Sequence, residues 1–145
     1  MNNDIKQTLL ETSEKRHNEF MNDQKKQNNK AKQYNKLIKN RDNRPYLDKI
    51  YYQIAILQEK KDSVNLAVLN YNNSLRAKQG GAKQKTFSYE KLANIYFKNL
   101  DYVTASAYYD SVLGITTDEN SKRVRRLARK RSNLNDVILY ESIAK

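Results

Sequence analysis

Cysteine is absent from this chain of 145 residues, and with it go disulfides, thiolate metal sites, a cysteine nucleophile and the attachment point of a lipid anchor. Three glycines and one proline leave little of the turn chemistry that barrels, sandwiches and Rossmann units need, and no glycine-rich loop to cradle a phosphate. Tryptophan is missing and His17 is the sole histidine. With no clustered carboxylates or nucleophile around it, His17 is expected on the surface and not as a base or a metal ligand. Carboxylates are scattered apart from Asp118-Glu119, a pair that suits a helix N-terminus better than acid–base work. Apolar runs are short, as in Ile54-Ala55-Ile56-Leu57, against the roughly 20 residues a membrane-spanning helix takes. The opening Met1-Asn2-Asn3-Asp4 carries no apolar signal core. No catalytic, cofactor-binding or metal-ligating residue is assigned, no cofactor is implied, and the chain is expected not to be an enzyme.

What the chain has instead is tyrosine and positive charge. Eleven tyrosines suit a thin, elongated core, because each buries a ring and keeps a hydroxyl for the wet edge. The formal charge is +12, and residues 120–145 alone carry +6 of it. Within that tail Lys122, Arg125, Arg126 and Arg129 share one helical face while Val124, Leu127 and Leu134 favour the other. This is the pattern of an amphipathic, solvated helix. The same four cations are the candidate patch for an anionic partner, which makes a basic helical nucleic-acid-binding module the rival functional reading. No aromatic residue interleaves the basic run and no base-reading motif accompanies it.

An internal repeat organises the middle of the chain. Tyr89, Leu92-Ala93, Ala105 and Tyr109 recur, shifted by 38 residues, as Tyr51, Ile54-Ala55, Ala67 and Tyr71, with Val112 answered one residue out of step by Leu75 and Tyr96 by Gln58. Where two helices of a pair cross, a small side chain on each lets the axes approach to the short end of the usual 8–10 Å. Ala55 facing Ala67, and Ala93 facing Ala105, supply that, with the tyrosines and Leu92 wedged beside them. Turn chemistry agrees. Pro45 suits a first helical turn, Asp62-Ser63 and Asp101 suit helix starts, and Gly80-Gly81 are expected to end the helix carrying Tyr71. Asn99 is placed to take the positive φ of the second hairpin turn.

This pattern resembles the tetratricopeptide repeat, with departures. Gln58 stands for an aromatic, Asp62 and Leu100 stand where glycine is usual, and the period exceeds the family's roughly 34 residues. The fold expected is all-α: a right-handed superhelix of antiparallel helix pairs with a long C-terminal helix. Its parts are an N-terminal helical segment (1–44), two repeats (45–81 and 82–119) and a basic capping helix (120–145). Within 1–44, Ile5, Leu9, Leu10, Phe20 and Met21 mark one stretch, and Ala31, Tyr34, Leu37 and Ile38 another. One helix or two remains open there.

Three stretches carry a narrower resemblance: Asn43 to Ala55, Ser88 to Phe97, and Asp101 to Leu113, the last reading DYVTASAYYDSVL. They are similar to the tetratricopeptide lipoproteins of gliding motility and type IX secretion in Bacteroidetes (the SprE/PorW-like group). That resemblance implies a scaffold for proteins of the secretion and motility machinery, on the periplasmic side of the envelope. Membrane contact would run through a lipid anchor outside this chain; without the resemblance, a cytoplasmic location is the expectation. In such arrays the first helices of successive pairs line a groove for a protein segment. The groove positions here are Tyr52, Ile56, Glu59 and Lys60, with Lys49 beside them, then Phe87, Glu90, Asn94, Phe97 and Lys98.

Overall fold

A computed structural model describes residues 2–117 and 121–144; Asp118-Glu119, expected at a helix start, fall outside them. Every regular element among the described residues is helical. The chain divides into two units, Met1–Lys39 and Asn40–Lys145. The first unit is a single helix, α1 (Asn2–Lys39), which settles the open question of one helix or two, and none of its residues is buried.

The second unit opens with a 3-10 turn, Arg41–Tyr46, whose N-cap Asn40 accepts the Asp42 N–H through its side chain. Pro45 lies inside this turn, two residues ahead of the α-helix it was expected to begin. Then follow α2 (Leu47–Lys60), α3 (Val64–Arg76), α4 (Ala82–Lys98), α5 (Tyr102–Ile115) and α6 (Lys122–Ala144). α2 packs on α3 and α4 on α5 as two helical hairpins, α3 meets α4 between them, and α6 packs on α5.

The two hairpin turns are built alike. Ser63 N–H bonds the Gln58 carbonyl and Asp62 N–H the Glu59 carbonyl; 38 residues on, Asp101 N–H bonds Tyr96 and Leu100 N–H bonds Phe97. That crossed pair is the Schellman closure of a helix, which requires a left-handed residue just past the end. Asp62 (φ 57°) and Leu100 (φ 64°) take that conformation, and Asn99 does not (φ −83°). For an L-residue the left-handed well costs roughly 1–2 kcal/mol, of which the added freedom of an unfolded glycine would return part. Leu100 is 65% exposed and loses little packing if trimmed. Leu100→Gly is therefore expected to stabilise the second unit by about 0.5–1 kcal/mol, read as a higher urea midpoint. An unchanged or lowered midpoint would count against the strain.

Helix starts follow the expectation in part. The Asp101 carboxylate accepts the Thr104 N–H at 3.2 Å. Ser63 sits at the start of α3 but its side chain caps nothing. The glycine pair opens α4 instead of closing α3: α3 stops at Arg76 with Ala77 as its cap, and Gly81 is the N-cap of α4. Neither glycine has a positive φ. Gly80 is small because the buried Asp48 crowds it; a Cβ there would stand 3.3 Å from the Asp48 carboxylate and 3.1 Å from the Ala77 carbonyl.

Two buried clusters form the core. Ala55, Ala67, Tyr71, Leu92 and Ile95 make the first, and Ala93, Ala105, Tyr109, Val112, Leu127 and Leu134 the second. All four alanines of the expected crossings are fully buried. α4 serves both clusters, Leu92 and Ile95 on one side and Ala93 on the other. Behind them Asp48 lies buried with its carboxylate accepting the Gly81 N–H at 3.1 Å, while its backbone carbonyl accepts the Ser74 hydroxyl at 2.7 Å. Ser74 in turn meets Ser88 Oγ at 2.9 Å. This chain of bonds ties the starts of α2 and α4 to the end of α3.

Candidate interaction groove

The expected groove follows one helix from each pair. Tyr52 on α2 stands 6.5 Å from the Phe87 ring on α4, and Phe87 in turn carries the Arg123 guanidinium of α6 at 4.5 Å. Steps of 35 and 36 residues thus take one surface from α2 to α4 to α6. Leu127-Ala128 on α6 repeats the Ile54-Ala55 and Leu92-Ala93 pairs. Leu127 is buried in the second cluster, whereas Ala128 is exposed.

Most of the nine expected groove residues already have occupations. Tyr52 packs edge-on to Tyr71 at 5.7 Å and, with Ile56, against the first cluster. Glu59 accepts the Tyr71 hydroxyl. Glu90 is gripped by Arg123 through Nε at 2.9 Å and Nη2 at 2.5 Å. Asn94 Oδ1 accepts the Tyr109 hydroxyl at 2.6 Å and Lys130 Nζ at 3.3 Å. Phe97 lies under Lys130 Nζ at 4.8 Å and edge-on to Tyr102 at 5.5 Å. Lys60 and Lys98 are exposed, as is Lys49.

The charge that results is one-sided. Arg123 spends its cation on Glu90, and the Glu59 carboxylate is engaged by Tyr71, so the exposed lysines dominate what the surface offers. Lys49, Lys83 and Phe87 share the lining of a shallow hollow of about 450 Å³ between the starts of α2 and α4. Burial first, then the Glu90 charge, pushes the Tyr52 phenol above its ordinary value, with Arg123 pulling the other way. Tyr52 thus meets a ligand as a neutral hydroxyl.

On α6 the four expected patch cations, Lys122, Arg125, Arg126 and Arg129, are all exposed, and none forms an ion pair among the described residues. Val124, Leu127 and Leu134 are buried opposite them. The sequence reading missed the inward cations, Arg123 and Lys130, and Arg131, which binds Asp110 at 2.7 Å. A signal existed: Arg123 and Lys130 are spaced by seven, one residue from Val124 and three from Leu127, on the flank of the apolar stripe.

His17 is exposed, and no helix among the described residues is long and apolar enough to cross a membrane. A scan against protein-family models finds no match to the chain. A search of the curated proteins finds none either.

Proposed function

We propose that this chain is a tetratricopeptide-type superhelical array whose work is to hold a protein segment along the surface shared by α2, α4 and α6. The observation that carries this reading is the repeat of the whole hairpin: the same alanine pair and the same Schellman closure recur 38 residues apart, with side chains of α6 reaching α4 through Arg123 and Lys130. An array of this kind gains a continuous inner face from its first helices, and terminal helices with polar outer faces keep it soluble. The finer reading follows from the three stretches around Tyr51, Tyr89 and Tyr109. The chain would be a scaffold segment of a gliding-motility and type IX secretion lipoprotein, working at the periplasmic side of the envelope.

Photo-cross-linking tests it. A benzophenone side chain in place of Lys60 or Lys98, on the inner face, is expected to trap a discrete protein adduct in cells. The same group in place of Leu66 or Val103, exposed on α3 and α5, is expected to give none. Equal adducts from both faces, or none from either, would overturn the groove. A component of the secretion and motility machinery in the adduct would support the finer reading, and an unrelated protein would remove it.

The unpaired outer cations of α6 favour one rival, nucleic-acid binding. It is separated by salt: phosphate-driven affinity falls by orders of magnitude between 50 and 200 mM, whereas a groove built on Ile56 and the tyrosine edges keeps most of its affinity.

A further inference from the structure

α1 is 38 residues long with no buried residue, and helices of globular proteins owe most of their stability to packing of one face. At 3.6 residues per turn a single stripe runs its whole length, at spacings of three and four: Ile5, Leu9, Ser13, Arg16, Phe20, Asp23, Gln27, Ala31, Tyr34 and Ile38. Ile5, Leu9 and Phe20 are more than half exposed. Gln27, Ala31, Tyr34 and Ile38 are half-buried, and every other described residue of the helix is exposed.

The stripe is complementary to its own reverse about Phe20. Turned end for end about Phe20, it sets Phe20 against Phe20, Ser13 level with Gln27 and Leu9 level with Ala31, and brings Arg16 within one residue of Asp23 and Ile5 within one residue of Tyr34; Ile38 falls at the end of the overlap, beside Asn2. Apolar residues meet apolar ones, amide meets hydroxyl, and the two charges on the seam between Ile5 and Tyr34 meet their opposites twice. A parallel pairing would stack Arg16 on Arg16 and Asp23 on Asp23, a like-charge arrangement that two-helix seams avoid. Few sequences read as their own complement, and a two-fold axis is what makes such a pattern useful, because each patch then serves both partners.

The geometry points to α1 as a self-association helix: two copies of this chain pair through α1, antiparallel, with the two-fold axis at Phe20. The seam is short of large apolar residues, so the dimer is a reversible one whose orientation is fixed by the Arg16–Asp23 pairs.

The full chain can be tested cleanly because it has no cysteine. Ser13→Cys and Gln27→Cys are introduced in separate preparations and treated with a short bis-maleimide. The antiparallel dimer is expected to cross-link only in the mixture, since two copies of residue 13 stand roughly 21 Å apart along the axis at 1.5 Å per residue. Self-linking of each single variant would mean parallel pairing and would overturn the proposal. Sedimentation at low salt supplies the second arm. Arg16→Asp or Asp23→Arg alone is expected to raise the dimer Kd at least tenfold, and the double exchange to restore it. A helix that merely needs those residues for its own fold would show no rescue. A wild-type chain that stays monomeric up to millimolar concentration, or a double exchange as weak as either single one, would overturn the proposal.

Discussion

Truncating Tyr109 to alanine is expected to cost the 40–145 unit about 3–5 kcal/mol, the range for removing a large buried ring. Tyr109 is fully buried at the point where α4, α5 and α6 converge, against Ala93, Ala105, Leu127 and Leu134. Its loss would not stay local. The hydroxyl bonds Asn94 at 2.6 Å, and Lys130 of α6 reaches both the ring, at 5.3 Å, and Asn94, at 3.3 Å. Small neighbours cannot collapse into the space, because the alanines beside it already hold the helices at close approach. Against a total domain stability of about 5–15 kcal/mol, a loss of that size leaves a substantial fraction unfolded at physiological temperature. Tyr109→Phe keeps the ring and loses one hydrogen bond, so it is expected to cost about 1 kcal/mol. Urea unfolding followed by far-UV circular dichroism measures both. A Tyr109→Ala midpoint matching the Tyr109→Phe midpoint would mean the ring fills no essential space.

The parts of the fold that were legible in the sequence are those fixed by local geometry. Ala55, Ala67, Ala93 and Ala105 could be read because a close helix crossing demands small residues at a fixed spacing, whatever surrounds it. Asp101 could be read because an N-cap acts within three residues. The errors fall where a residue's job is set by something distant in sequence. Asn99 has the better intrinsic tolerance for a left-handed conformation, yet Leu100 takes it, because the Schellman closure counts from the end of the helix and the hairpin packing sets that end. Gly80 and Gly81 resembled a helix stop. The need for a small residue at Gly80 comes from Asp48, 32 positions earlier in the chain, which no local rule reports.

The same division runs through the groove. That the expected groove residues of α2 and α4 share one side of each helix followed from the 3.6-residue period. What stands on that side was not legible, since Glu90 and Phe97 find their partners in Arg123 and Lys130, 33 positions further along in each case. The net charge of the tail concealed two roles. Cations flanking the apolar stripe of α6 fasten it to α4, and those on the opposite face stay free. A mutational scan of the tail that treated these cations alike would mix residues that hold the fold with residues that do not. Arg123, Lys130 and Arg131 make contacts within the fold, whereas Lys122, Arg125, Arg126 and Arg129 form no ion pair among the described residues.

Alkaline pH is expected to unfold the second unit through Tyr71, and Tyr71→Phe is expected to remove that contribution. Burial, first, and then the hydrogen bond its hydroxyl gives to the Glu59 carboxylate raise the Tyr71 phenol far above its ordinary value of about 10. Deprotonation in the fold would put a second negative charge against Glu59 on a residue that itself has no exposed surface. The unfolded chain has no such obstacle and releases the proton near pH 10. Because the folded pKa is the higher one, the stabilising term is complete below pH 10 and shrinks as pH rises above it. The loss approaches about 1.4 kcal/mol per pH unit. Tyr52 and Tyr108, both raised by burial first, add to the slope in smaller measure because they are only half-buried. Lysines titrate in the same window, so the informative quantity is the difference between wild type and Tyr71→Phe. Below pH 9 the wild type should be the more stable by roughly 1 kcal/mol, the worth of the lost hydrogen bond. Above pH 10 that advantage should shrink and reverse by about pH 11.5. A difference that stays constant up to pH 12 would show that the Tyr71 hydroxyl reaches water in the folded chain, and that the closed first cluster around Ala55 and Ala67 opens there.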